Sequence, residues 1–215
     1  MLSSILWKLA VIVISFSAIA KQIGLFTKKI NSWTLVFYTT LSNILVIIFF
    51  ALAVISEALF SPESTFYAFM HTPAARFAVM MCITLTCFIY HFLLSPFDRK
   101  RGKEDNKNYF WTFGNLAVHY ITPIMTILDY FMFKGESTPS YLVTVGWTFI
   151  PLVYIAFVYI RAHFWGNIGE WDTAYPYFFF DVKKNGLKKT ILYIVAIYIV
   201  FFLIGNVMYG IGLLI

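Results

Sequence analysis

Asn115, His119 and Pro123 recur every fourth residue within one apolar run, so a single helical face carries an amide, an imidazole and a break in the hydrogen-bond ladder. Pro123 has no N–H for the carbonyl of His119, which predicts a kink and a freed backbone oxygen there. A second apolar run carries Phe37-Tyr-Thr-Thr40-Leu-Ser-Asn43. Thr40 and Asn43 share one face of that helix, and Thr39 and Ser42 share the next. A Thr hydroxyl beside a neutral imidazole is the minimum for covalent acyl transfer. The base withdraws the proton as oxygen attacks an ester carbonyl, and amide donors steady the oxyanion. Thr40 is then the candidate nucleophile, His119 its base, and Asn43 and Asn115 the oxyanion or orienting groups. A third carboxylate is not obligatory, because the roles matter more than the usual triad residues. No nucleophile elbow is present, and the plain alternative is that these side chains only join helices, as hydroxyls and amides commonly do in membranes.

The elements that must carry these groups are membrane helices. The chain of 215 residues is 60% hydrophobic and only 12% charged, well outside the composition of a soluble domain. Six apolar runs, near 4–26, 34–56, 76–95, 113–133, 141–163 and 188–213, each approach the ~20 residues that cross a hydrocarbon core. The expected fold is therefore all-α, a polytopic transmembrane bundle of six helices forming one domain over 1–215. An ionisable residue at the centre of such a helix costs roughly 2.5–3.5 kcal/mol on insertion scales, which is why His119 and Asp129 draw attention. Ala18-Ile19-Ala20 has the small-residue pattern of a signal-peptidase site. No Lys or Arg precedes the run and Lys8 interrupts it, which predicts a retained span.

A formal net charge of +6 invites a nucleic-acid reading, but the charges are placed as a topology signal. Lys28 and Lys29 follow span 1; Arg99, Lys100, Arg101, Lys103 and Lys107 follow span 3; Arg161, Lys183, Lys184, Lys188 and Lys189 follow span 5. The other side has little beyond Arg76 and Lys134, with Lys8 near the outer end of span 1, where its stem can snorkel. The positive-inside rule then puts both termini outside the cell membrane and the odd-to-even loops in the cytoplasm. Counted from the cytoplasmic ends, Thr40, His91 and His119 reach one depth. Asp129 lies near the outer end of span 4 as a structural or gating residue, and His71 in the 57–75 loop reads as a solvated side chain.

Other chemistries fit less well. His91, His119 and His163 have no metal-ligand spacing, haem ligation by His91 and His119 lacks a supporting pair, and no phosphate loop or nucleic-acid motif is present. Cys82 and Cys87 share one helix and cannot bridge each other. Acyl transfer through Thr40 needs neither cofactor nor metal. The partners expected are membrane lipid and a lipid ester substrate, with no nucleic acid. Its carboxylate would find His91 and Arg161 as substrate-binding groups near the cytoplasmic mouth, where Arg161 suits bidentate recognition. The plainer role for Arg161 is a positive-inside anchor or a partner of Asp181. The aromatic stretch Trp171 to Val182 is expected to lie in the membrane interface.

Tyr38-Thr-Thr40-Leu-Ser-Asn43 resembles the Thr-x-x-Asn segment of the androgen-induced-protein-like family, six-span membrane proteins with bacterial relatives. Asn115-Leu-Ala-Val-His119-Tyr-Ile-Thr-Pro123-Ile resembles that family's Asn-x3-His-x3-Pro-Ile span. Mammalian members are threonine hydrolases of fatty-acid esters of hydroxy fatty acids. The resemblance therefore implies Thr40 as nucleophile and His119 as its base. Tyr90-His91-Phe-Leu-Leu and Tyr175-Pro-Tyr-Phe-Phe-Phe-Asp181 are similar to the bacterial branch. The chain departs from the mammalian pattern at Leu116, where those proteins have a second His. The expected function is hydrolysis of a fatty-acyl ester within the membrane. The competing expectation is a non-enzymatic lipid-binding or transport protein.

Overall fold

The computed structural model describes residues 2–27, 30–96, 111–133, 138–169 and 171–214, and all its regular elements are helical. They are α1 (Leu2–Ile23), α2 (Tyr38–Leu59), α3 (Thr65–Met70), α4 (Pro73–Ile89), α5 (Phe113–Leu116), α6 (Thr122–Met132), α7 (Val143–Gly146), α8 (Phe149–Trp165), α9 (Val182–Asn185) and α10 (Leu187–Leu214). Two wide π-turns extend them, Tyr90–Leu94 after α4 and Ala117–Ile121 between α5 and α6. Lys28, Lys29, Arg99, Lys100, Arg101, Lys103, Lys107 and Lys134, on which the expected topology rests, lie outside the described residues.

Five helices are long and apolar enough to cross a bilayer: Leu2–Ile23, Tyr38–Leu59, Pro73–Leu94, Val143–Trp165 and Leu187–Leu214. The protein is thus a multi-pass membrane protein in character. The expected fourth span is helical from Phe113 to Met132 but is not among the five, and it carries Asn115, His119, Pro123 and Asp129. Helix starts follow their capping residues. Thr72 Oγ1 accepts from Ala75 N ahead of Pro73, and Thr112 Oγ1 accepts from Asn115 N. The second span begins at Tyr38 rather than 34 because Ser32–Val36 winds as a tighter 3-10 turn and Phe37 is extended.

Contacts divide the chain into two compact units, Met1–Val143 and Thr144–Ile215, where composition leads one to expect a single bundle. In the first, α1 packs on α2, α2 on α4, α4 on α6 and α6 back on α1. Val11, Val46, Phe50, Val79 and Ile83 form its core, while Ala18, Ile19, Ala117 and Val118 bring α1 close to the second π-turn. Lipid is as apolar as these residues, so close packing and polar contacts between helices must hold them together. Ser15 Oγ lies 2.8 Å from Thr122 Oγ1, Ser42 Oγ lies 2.7 Å from Thr86 Oγ1, and Trp7 Nε1 donates to the Met125 carbonyl at 3.1 Å.

The end of this unit that carries Lys8 differs from expectation. Lys8 does not snorkel: it is only 4% exposed, with Nζ 3.2 Å from both Glu57 Oε1 and Asp129 Oδ1. It is about 9 Å along the helix from Leu2 at 1.5 Å per residue, and the carboxylates of α2 and α6 meet it there. Arg76, also buried, lies 3.4 Å from Asp129 Oδ2 and donates to the carbonyls of Asp129, Tyr130 and Phe133. It thereby caps the C-terminal end of α6, whose last carbonyls have no partner within the helix. His71 is not a freely solvated side chain. Its ring stacks on Tyr67 and its Nε2 lies 3.4 Å from Glu57 Oε1. Ser4 Oγ donates to the same oxygen, completing a buried cluster of two cations and two carboxylates.

In the second unit, α10 is apolar all round, with only 11% of its most apolar window buried, so most of its surface is left for lipid. Between α8 and α10 the aromatic segment folds into a knot. Gly166, at a φ of +63° that side-chain-bearing residues rarely adopt, turns the chain as α8 ends. Asp181 Oδ1 caps α9 by accepting from Lys184 N, and its Oδ2 accepts from Thr173 Oγ1 at 2.9 Å. Burial raises the pKa of the Tyr175 phenol in this knot, and the Asp181 carboxylate pushes it the same way.

Candidate active site

The opposite end of the first unit holds the groups singled out in the sequence. Thr40 lies in the first turn of α2, fully buried, and its Oγ1 has no hydrogen-bond partner among the described residues. One turn on, Asn43 is equally buried. Its Nδ2 donates to the carbonyl of Thr39 at 2.8 Å and to the carbonyl of Val118 at 3.1 Å. Both N–H bonds are therefore taken. Asn43 is an orienting group in this geometry, with no donor left for an oxyanion. A single amide nitrogen thus ties together the residues that immediately precede Thr40 and His119.

That tie depends on the π-turn. Thr122 N donates to the Ala117 carbonyl, five residues back rather than four. In this wider register the carbonyl opposite Pro123 is that of Val118, not that of His119 as the α-helical count implies. Asn43 supplies the donor that proline lacks. The turn at Tyr90–Leu94 follows the same pattern: Ser95 N donates to the Tyr90 carbonyl and Pro96 comes next. Both distortions end at a hydroxyl residue followed by proline, Ser95-Pro96 and Thr122-Pro123.

His119 is buried, with Nδ1 3.0 Å from the Asn115 carbonyl. A carbonyl only accepts, so Nδ1 carries the hydrogen and the lone pair is left on Nε2, the atom a general base needs. The Tyr90 ring stacks on the imidazole with centroids 3.7 Å apart and planes 17° from parallel. Asn115 Nδ2 donates to the Tyr90 hydroxyl at 2.8 Å. Asn115, His119 and Tyr90 therefore close a ring of two hydrogen bonds and one stack, which fixes both the tautomer and the plane of the imidazole.

The remaining sequence candidates lie elsewhere. His91 is exposed, with Nδ1 3.0 Å from the Tyr120 hydroxyl. Arg161 belongs to the second unit, where its guanidinium donates to the backbone carbonyls of Gly166, Asn167 and Ala174. It ties the aromatic knot rather than pairing with Asp181, whose oxygens take Thr173 and Lys184. Among the described residues no three His, Cys, Asp or Glu side chains converge as metal ligands.

Tyr90 and Tyr120 were missed in the sequence. A usable signal was present: the dipeptides Tyr90-His91 and His119-Tyr120 pair ring for ring, Tyr90 with His119 and His91 with Tyr120. No family model, curated protein or solved structure matches this chain.

Proposed function

We propose that this chain is an integral-membrane hydrolase of fatty-acyl esters, with Thr40 as nucleophile and His119 as general base. One observation carries the reading. A fully buried hydroxyl without a partner among the described residues stands beside an amide strap that leads to a histidine whose tautomer presents Nε2 as base. Leaving a buried polar group unsatisfied costs about 1–3 kcal/mol, and valine would fill the same shape without that cost. The likeness of the Thr40–Asn43 and Asn115–Pro123 segments to threonine hydrolases supports the same assignment.

The chemistry runs in two steps. Thr40 Oγ1 attacks the ester carbonyl as its proton passes to His119 Nε2, and the alkoxide leaves as an alcohol with that proton. Water then attacks the acyl-Thr40 ester, gives a proton to Nε2, and releases the acid as Oγ1 takes the proton back. The substrate reaches the site from the bilayer, where each buried CH2 contributes roughly 0.8 kcal/mol. In this reading Phe113–Met132 is the fourth of six spans and both termini are extracytoplasmic, so a phosphatase reporter fused at the C-terminus is active. Activity of a cytoplasm-only reporter there would reverse the orientation.

A second reading, ion-coupled transport without catalysis, is favoured by the buried cluster of Lys8, Glu57, Arg76 and Asp129, because intramembrane charges mark ion pathways by default. Labelling separates the two. A fluorophosphonate probe on the purified protein should modify Thr40, as mapped by peptide mass spectrometry, and Thr40→Ala should abolish it. Labelling that survives in Thr40→Ala, or a wild-type protein that neither labels nor turns over esters, would sink the hydrolase reading.

A further inference from the structure

Asn43 and Thr40 each leave a buried oxygen over from the hydrogen-bond network. Asn43 Oδ1 and Thr40 Oγ1 are each on a fully buried residue and have no partner among the described residues. The orientation of the Asn43 amide is settled by chemistry. Both contacts of its nitrogen are carbonyls, which only accept, so the nitrogen must face them and the oxygen must face away. The two residues are three apart in α2, which places their side chains on one face with Cβ atoms about 5–6 Å apart. A water molecule can bridge two oxygens carried on one helix face, and buried waters characteristically satisfy polar groups that the protein itself leaves unpaired.

We infer that Asn43 Oδ1 and Thr40 Oγ1 form a water-binding site, and that the water held there is the one that hydrolyses the acyl-enzyme. The inference rests on the hydrolase reading for its second half only. Asn43 Oδ1 accepts one hydrogen of the water and so points an oxygen lone pair toward the acyl carbon on Thr40. During deacylation the bond from water oxygen to acyl carbon forms and the second water hydrogen passes to His119 Nε2. The bond from acyl carbon to Thr40 Oγ1 then breaks, and Oγ1 recovers that proton from Nε2. One ester and one water give one alcohol and one acid over the cycle. Asn43 is therefore a positioning residue for the second step. The first step uses no water and does not need its Oδ1.

The test separates the two steps in the intact protein in nanodiscs, with a p-nitrophenyl fatty-acyl ester as substrate. In wild type a burst of p-nitrophenol precedes steady turnover. In Asn43→Ser, which also loses the strap and so slows both steps, steady turnover should fall about 100-fold more than the burst rate, and acyl-Thr40 should accumulate by intact-mass spectrometry. Equal losses in burst and turnover, without accumulation, would overturn the role in deacylation. A wild type with neither burst nor turnover would instead remove the hydrolase reading. Because Asn43→Ser also loses the strap to Val118, a second measurement uses the unaltered chain. A density map that resolves ordered waters should show one within about 3.2 Å of both oxygens. No water at that position would overturn the site itself.

Discussion

The two ends of the first unit bury polar groups by opposite rules. At the Lys8 end the charges are formal and each has a countercharge within 4 Å, Lys8 facing Glu57 and Asp129 and Arg76 facing Asp129 and three carbonyls, although Asp129 Oδ1 accepts no hydrogen bond among the described residues. At the Thr40 end the groups are neutral, and Thr40 Oγ1 and Asn43 Oδ1 have neither countercharge nor hydrogen bond among the described residues. Pairing of charge with countercharge is what a low-dielectric interior demands of a fixed structural joint. Incomplete pairing around a held imidazole is what a site needs if a substrate or water is to supply the missing partner. In one bundle, then, the strongest charges mark the joint and the weakest polar groups mark the candidate chemistry.

Substitutions can break or sharpen that contrast. Asp129→Ala leaves Lys8 and Arg76 buried without a shared carboxylate and should lose about 3–5 kcal/mol of stability, read by unfolding in detergent. A loss under about 1 kcal/mol would mean that water reaches the cluster, and the Lys8 end would no longer be a sealed joint. The pair Arg76→Met with Asp129→Leu should lose less than the sum of the two single changes, because it removes charge and countercharge together.

At the Thr40 end, Asn43→Leu strands the carbonyls of Thr39 and Val118 and should cost about 1–3 kcal/mol. Tyr90→Phe removes one hydrogen bond to Asn115 while keeping the stack on His119, for about 1 kcal/mol. The smallest effect on stability belongs to Thr40→Val, within about 0.5 kcal/mol of wild type or slightly above it, with probe labelling abolished. If Thr40→Val were as destabilising as Asn43→Leu, the hydroxyl would belong to the fabric of the bundle and the contrast would fail.

The apolar runs were legible because hydrophobicity over twenty residues is a property of the chain itself, and five emerged as membrane-length helices close to the expected limits. Pairing across helices was not legible. Lys8 read as a snorkelling residue because its position along α1 is visible in the sequence, whereas Glu57 and Asp129 reach it only after folding. His91 drew attention through its chemistry, but the widened turn sends Tyr90 toward His119 and leaves His91 outside. Pro123 announced a broken ladder correctly. The carbonyl it frees moved by one residue because Thr122 pairs five back. Arg161 offered a carboxylate fork, and its own loop carbonyls took it.

The turn at Ala117–Ile121 also sets a phase. A five-residue repeat inserted in a helix of 3.6 residues per turn rotates all that follows by the angle of one residue, about 100°. His119 lies within that turn and Asp129 beyond it, so the azimuth of Asp129 toward Lys8 and Arg76 is dialled by the same insertion that turns the Val118 carbonyl to Asn43. Winding those five residues as regular α-helix instead would lengthen the segment by only about 1.5 Å. It would still swing the Asp129 carboxylate off its two cations, so the two ends behave as gears cut on one shaft.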